Sequence, residues 1–199
     1  MSAAKTFYEI EPSGNSHILR LISSDNTNRL TRACVLALTG QIGAFASNAR
    51  PLVIAGNSHF FSVGADLHEI AALTGPEAYE FSQMGQALMN AIAAFPAPVI
   101  AAVEGHCMGG GFDLALACHR RIGAPNAVFG HRGAALGLIT GWGGTQRLPR
   151  LIGKGRALEL FVAAEKLTAQ RALPIGLIDA IARDPIAEAV YQLRSAPPA

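Results

Sequence analysis

Residues 106–118 read His-Cys-Met-Gly-Gly-Gly-Phe-Asp-Leu-Ala-Leu-Ala-Cys, three consecutive glycines between small apolar residues and what has the composition of a buried helix. Gly109, Gly110 and Gly111 let the main chain turn tightly and let another molecule approach it closely. A helix starting there offers unpaired N–H groups and the positive end of its dipole, which suit an oxygen that becomes negative. Gly64-Ala65-Asp66 repeats the arrangement, again after an apolar strand and before a helical stretch. Donors from two such turns can converge on one oxygen and polarise a thioester or amide carbonyl as it becomes an enolate, each donor contributing ~2.7–4 kcal/mol. The plainer reading of either turn alone is a strand-to-helix connection whose glycines serve packing. Asp113 has two readings as well: a carboxylate placed to move a proton, or a first-turn residue that caps free N–H groups and is favoured by the dipole.

The elements that must position these residues follow from patterning. His17–Ile22 reads as a strand, 26–28 as a polar turn and Thr31–Ser47 as a helix. Pro51–Ala55 and Pro98–Val103 are short continuous apolar runs, the mark of strands covered on both faces. Leu67–Leu73 reads as a short helix. Pro76 suits the first turn of a long one, whose Phe81, Met84, Leu88, Ile92 and Phe95 form one apolar face. His119–Gly123 and Ala127–Gly130 read as strands, then Gly144–Leu151, Arg156–Glu165 and Thr168–Pro174 as helices. Leu177–Ile181 reads as a strand, Pro185–Arg194 as a last helix and 195–199 as a loose tail. Strands alternating with helices, too apolar to face water, make the fold class α/β. No linker or repeat divides the chain, so a single domain over 1–199 is expected.

Composition narrows the function classes. Half of the 199 residues are hydrophobic, enough to bury a full core, and only 15% are charged, which points to surface covered by a partner. A formal net charge of +2 and the absence of basic runs interleaved with aromatics give no nucleic-acid footprint. Arg147, Arg150, Lys154 and Arg156 cluster, as a solvated helix face or as an anchor for an anionic cofactor tail. Cys34, Cys107 and Cys118 are odd in number and fit no metal spacing, and the histidines show no ligand spacing, so no metal site is expected. The N-terminus has no hydrophobic signal core, and the longest apolar run, Ala91–Val103, is too short to span a bilayer and holds two prolines. A soluble, cytoplasmic protein with reduced cysteines is expected.

Four segments together resemble the crotonase (enoyl-CoA hydratase/isomerase) superfamily: Leu52-Val-Ile-Ala-Gly56, Phe61-Ser-Val-Gly-Ala-Asp-Leu67, Pro98-Val-Ile-Ala-Ala-Val-Glu-Gly105 with the glycine triplet, and Gly141-Trp-Gly-Gly-Thr-Gln-Arg-Leu-Pro-Arg150. Their order and separation agree with the family over about residues 15–183. The resemblance implies a spiral of β-β-α repeats that binds coenzyme A thioesters, with no permanently bound cofactor. By the same resemblance the backbone N–H groups of Ala65 and Gly110 form an oxyanion hole, and the main chain of Val63, Ala65, Asp66 and Leu67 lies against the adenine. Many relatives carry lysine where this chain has His68.

Hydratases of the family use two glutamates. The first falls at Asp113, one methylene shorter, and the second at Gly133, which has no proton to move. Restoring a carboxylate by Gly133→Glu is expected to create or raise hydration of crotonyl-CoA. Naphthoate synthase-like members also carry glycine there and use a bound bicarbonate; their nearby aspartate corresponds to Thr140. His131 and Arg132, beside the gap, read as an exposed loop pair, with reach into the pocket as the alternative. Trp142 reads as a packing residue. Relatives continue after the equivalent of Ile181 with helices that cover the acyl pocket and build a trimer, so a more open pocket or a lid from a neighbouring subunit is expected, in a homo-trimer or hexamer. The function expected is enoyl-CoA hydratase or isomerase chemistry with Asp113 as the one carboxylate, against a non-catalytic acyl-CoA-binding or assembly subunit.

Overall fold

In the computed structural model, which describes residues 6–195, the period-two alternation inside the two apolar runs organises everything else. The chain opens on a hairpin: β1 (Tyr8–Ser13) pairs antiparallel with β2 (Ser16–Leu21) across a turn where Gly14 has φ +61. The short strand β3 (Arg29–Leu30) leads into α1 (Arg32–Ala46), whose first turn is capped by the Thr31 hydroxyl accepting from the Cys34 N–H. Then come β4 (Leu52–Ala55), β5 (Phe60–Ser62), β6 (Gly64–Ala65), α2 (Leu67–Ala71) and α3 (Gly75–Ala93), the last opened by a capping box of Thr74 and Glu77 with Pro76 in its first turn. Next are β7 (Val99–Val103), β8 (His106–Met108) and α4 (Gly110–Ala117). They are followed by β9 (Arg120–Gly123), β10 (Val128–Gly130), a 3-10 turn over Gly133–Leu136, α5 (Gly144–Ile152) and α6 (Lys154–Ala163). β11 (Leu167–Thr168), α7 (Ala169–Ala172), β12 (Ala180–Ile181) and α8 (Pro185–Ser195) complete the described chain.

The strands form a six-stranded sheet in the order β1-β2-β4-β7-β9-β12, a four-stranded sheet β11-β10-β8-β5 and the pair β3-β6. From β2 to β12 all neighbours in the large sheet are parallel, as are β5, β8 and β10 in the smaller one. A strand in the large sheet, a strand in the small sheet and a helix therefore recur, as β4-β5-α2, β7-β8-α4 and β9-β10-α5. Each round moves one strand along both sheets.

Both faces of β4 and β7 in the middle of the large sheet are covered, which is why these two strands read as unbroken apolar runs. Leu52, Ile54, Val99, Ala101 and Val103 face the main core with α1, α3 and α4, while Val53, Ile100 and Ile122 face outward under α8. Several elements differ from the sequence reading: the short strands β3, β5, β6, β8 and β11 were not read as strands, and the helix read over Arg156–Glu165 runs from Lys154 to Ala163. The strand β1 was not anticipated. Only Ala180–Ile181 of the stretch from Leu177 is strand; Leu177 and Ile178 are apolar because they are buried, and the Leu177 carbonyl accepts from Arg121 Nε at 2.8 Å instead of joining a ladder. The helix read from Thr168 to Pro174 is confined to Ala169–Ala172. Of the expected tail, Ser195 is the last residue of α8, and 196–199 lie outside the described residues. Among the described residues no helix is long and apolar enough to cross a membrane.

Candidate active site

The two glycine turns touch. Gly64 and Gly109 both adopt positive φ, +91 and +51, which an L side chain rarely accepts. A Cβ on Gly64 would stand 2.6 Å from the Met108 carbonyl and 2.7 Å from the Gly110 nitrogen, and a Cβ on Gly110 would stand 3.3 Å from the Ala65 nitrogen. The glycines are thus required by close approach of one main chain to the other. The Ser62 hydroxyl fixes the first turn, accepting from the Gly64 N–H at 3.0 Å and donating to the Asn28 carbonyl at 2.7 Å. The Gly109 N–H donates to the Gly130 carbonyl at 3.0 Å and ties the second turn to β10. Gly110 is the first residue of α4, so its N–H has no acceptor within the helix. Trp142 is buried against the Cα of Gly110 and against Gly85 of α3, where a Cβ would collide with the indole, and its Nε1–H donates to the Phe81 carbonyl at 3.3 Å.

One turn along α4, Asp113 is 1% exposed. Its carboxylate does not cap the helix: Gly109 is the cap residue without any side-chain bond, and the Asp113 N–H donates to the Gly109 carbonyl as an ordinary helical bond. The capping alternative is therefore corrected. Oδ2 accepts from the Thr140 hydroxyl, and Oδ1 lies 3.1 Å from His131 Nε2. That second contact has ion-pair distance but lies off the line of a ring N–H hydrogen bond, and both atoms are otherwise without a partner. His131 lies in the loop after β10 but is 5% exposed, so the expected exposed pair is corrected at His131, while Arg132 is exposed. The parallel pairing of Gly130 with Met108 puts the residue after β10 beside the start of α4.

Gly133 is equally closed. A Cβ there would stand 2.6 Å from the Leu138 carbonyl, whose own N–H donates to the Gly133 carbonyl at 2.8 Å. The expectation that Gly133→Glu simply restores a carboxylate is corrected, because the turn has filled the side chain's space with backbone.

On the other side of Ala65, Asp66 caps α2, accepting from the N–H groups of His68 at 2.8 Å and Glu69 at 3.3 Å, and pairs with Arg29 at 3.3 Å. Burial opposes ionisation of Asp66, but those two N–H groups and Arg29 outweigh it and hold the carboxyl below its usual range. Val63 is partly exposed and donates its N–H to the Thr27 carbonyl at 3.1 Å, and Leu67 is exposed. An open cleft next to Asp66 is lined by Ser23, Ser24, Asp25 and Arg29. Of the basic cluster, Arg150, Lys154 and Arg156 face solvent, but Arg147 turns inward and donates to Asn90 Oδ1 at 2.8 Å. Among the described residues no His, Cys, Asp and Glu side chains group as metal ligands would.

The family model for enoyl-CoA hydratase/isomerase matches residues 18–194. The chain belongs to the enoyl-CoA hydratase/isomerase family. A probable enoyl-CoA hydratase of Bacillus subtilis is 44% identical over 139 residues, 69% of this chain and 54% of that protein, so the match spans about half of the relative's length. The crystal structure of an enoyl-CoA hydratase from Bacillus anthracis superposes with a TM-score of 0.89 at 30% identity, over 96% of this chain and 78% of that one. Pseudomonas aeruginosa DspI gives 0.91 at 29% identity, over 98% and 84%. The fold is the crotonase fold. Within this family member, the segments named for catalysis and binding, Val63–Leu67 and Gly110–Asp113, are contiguous in space through the Gly64–Gly110 contact. For His131 the alternative of reaching inward holds rather than the exposed loop pair, and Thr140, noted only for its place opposite a family aspartate, engages Asp113 directly.

Proposed function

We propose that this chain binds an acyl-CoA thioester, stabilises its enolate between the N–H groups of Ala65 and Gly110, and shifts the double bond of an enoyl-CoA with Asp113 as the single proton carrier. The observation that carries the reading is the abutment of the Gly64 and Gly109 turns one helical turn from a buried carboxylate. The main chain of Val63, Asp66 and Leu67 would lie against the adenine, and coenzyme A enters only as part of the substrate. In the forward step the Asp113 carboxylate takes a C2 proton from a 3-enoyl-CoA. The C–H electron pair becomes part of a dienolate whose negative oxygen meets the two N–H donors, each removing about 2.7–4 kcal/mol from the barrier. The carboxylic acid then returns the proton at C4, giving the 2-enoyl-CoA and the original carboxylate. One carboxylate suffices for this, whereas hydration needs a second group to activate water, and the backbone closes that position at Gly133.

Isomerisation is tested by supplying 3-enoyl-CoA thioesters and following the absorbance of the conjugated product. Asp113→Asn, which keeps the shape and the Thr140 contact, is expected to lower kcat by about 100-fold or more while thioester affinity stays within about threefold. Asn at full activity would sink the assignment. A second reading, binding without turnover, is favoured by the near-complete burial of Asp113. It predicts thermal stabilisation by CoA compounds with no turnover of any thioester. Association as a homo-trimer or hexamer is part of the same proposal, supported by exposed Leu136, Leu138 and Ile139 after β10 beside exposed Leu158 and Val162 on α6. Light scattering from the purified protein checks it, and the mass of one subunit would remove it.

A further inference from the structure

Asp113 Oδ1 and His131 Nε2 are buried, 3.1 Å apart and without any other partner. With no proton on either atom, two electron-rich atoms would stand at ion-pair distance away from water, and that contact would be repulsive. A proton on Nε2 makes the contact attractive through its charge. The ring is fixed for this role: Phe112 lies 5.0 Å and Phe161 5.3 Å from it between centroids. Gly144 leaves the room, since a Cβ there would stand 2.8 Å from Nε2 and collide with Oδ1.

We propose that His131 is the positioning residue of Asp113, its ring nitrogen standing at ion-pair distance from Oδ1 while the Thr140 hydroxyl holds Oδ2, so that the carboxylate is aimed and its strength as a base is set by the charge of the ring. The inference rests on the reading of Asp113 as the proton carrier. When the ring is neutral and carries its proton on Nε2, the carboxylate keeps free lone pairs and takes the C2 proton. A second proton on the ring makes an imidazolium–carboxylate pair, and the carboxylate becomes a weaker base. The other groups around the pair do not change charge near neutral pH. Arg147 of α5, though eased down by burial, stays a cation. The Cys107 thiol of β8 is pushed well above its usual range by burial and stays neutral. Glu165, after α6, is held by Arg171 at 2.5 Å, and Arg132 points to solvent.

The test is exchange of the C2 protons of butanoyl-CoA with deuterated water, followed by NMR between about pH 5 and 9, in the wild type, His131→Gln and His131→Leu. The wild-type rate is expected to fall as pH drops through the histidine range. Gln keeps a neutral donor and should stay within about threefold of the wild type at alkaline pH while losing that acid limb; Leu should lose about tenfold or more throughout, at unchanged thioester affinity. Equal rates and equal pH profiles in all three proteins would overturn the proposal. If Leu fails to fold, the acid limb of Gln decides alone, and a retained limb overturns it. Wild-type exchange rates in Asp113→Asn would instead overturn the assignment of the base. Where the wild type exchanges nothing, the ring nitrogen signals of His131 decide: a titration altered in Asp113→Asn supports the pairing, and an identical one overturns it.

Discussion

At the scale of single residues, the site is built from glycines whose missing side chains are spoken for by named atoms. Gly64 and Gly110 are emptied by each other's turn, Gly85 and Gly110 by Trp142, and Gly133 by the Leu138 carbonyl. The last decides an experiment. Gly133→Glu introduces a Cβ at 2.6 Å from a backbone oxygen that cannot swing aside as a side chain would. Overpacking of this kind typically costs about 1–3 kcal/mol, which in a chain of this size lowers Tm by about 2–12 °C. No gain in hydration of crotonyl-CoA is expected. A calorimetric scan and the hydration assay check both, and a variant of wild-type Tm that hydrates crotonyl-CoA would show that the turn opens freely. Asp113 teaches the complementary point. Its place in the first turn of a helix is the same for a cap and for a base, and what separates the two is where the oxygens go, to Thr140 and His131 rather than to N–H groups.

At the scale of elements, most of this was legible. Pro51–Ala55 and Pro98–Val103 could be read as doubly covered strands because apolar residues recur at every position, and each face does meet its own core. The helix from Thr31 and the long one with Pro76 carried their start signals in the chain. Beyond the short strands of two or three residues, three features were not read correctly, each for a physical reason. Strand β1, with Glu9, Glu11 and Pro12, lies at the edge of the sheet, where one side faces solvent and polar residues are tolerated. Leu177 and Ile178 mimic a strand because burial in a loop selects the same side chains. His131 depends on which strand lies beside which: only the parallel register of β10 on β8 carries it to the first turn of α4, and register between strands distant in sequence leaves no mark in either one. The glycine turns were visible individually, but their contact rests on the pairings of β5 with β8 and of β3 with β6.

Across the whole molecule, the large sheet separates two layers that make different demands. One face joins α1, α3 and α4 in the main core and delivers β8 and α4 to the candidate site; the other carries α8 on Val53, Ile100 and Ile122. The helix read from Pro185 onward therefore packs on the sheet's outer face, against β4, β7 and β9. Ala189, fully buried, is the contact residue of α8 with the fewest atoms, which lets helix and sheet approach closely. Ala189→Asp forces an unpaired carboxylate into that layer, where burial of an unsatisfied polar group costs about 1–3 kcal/mol or more. Tm should fall by roughly 2–12 °C. Because the atoms of this layer and those of the Asp113–His131 pair lie on opposite faces of the sheet and share no partner, their effects should be independent. At a temperature where the variant remains folded, its proton-exchange rate per folded molecule and its thioester affinity should match the wild type within about twofold. A variant with wild-type Tm would show that α8 is not holding the outer face. Matched losses of stability and exchange would show instead that the sheet transmits strain between its faces and that the site is tuned from behind.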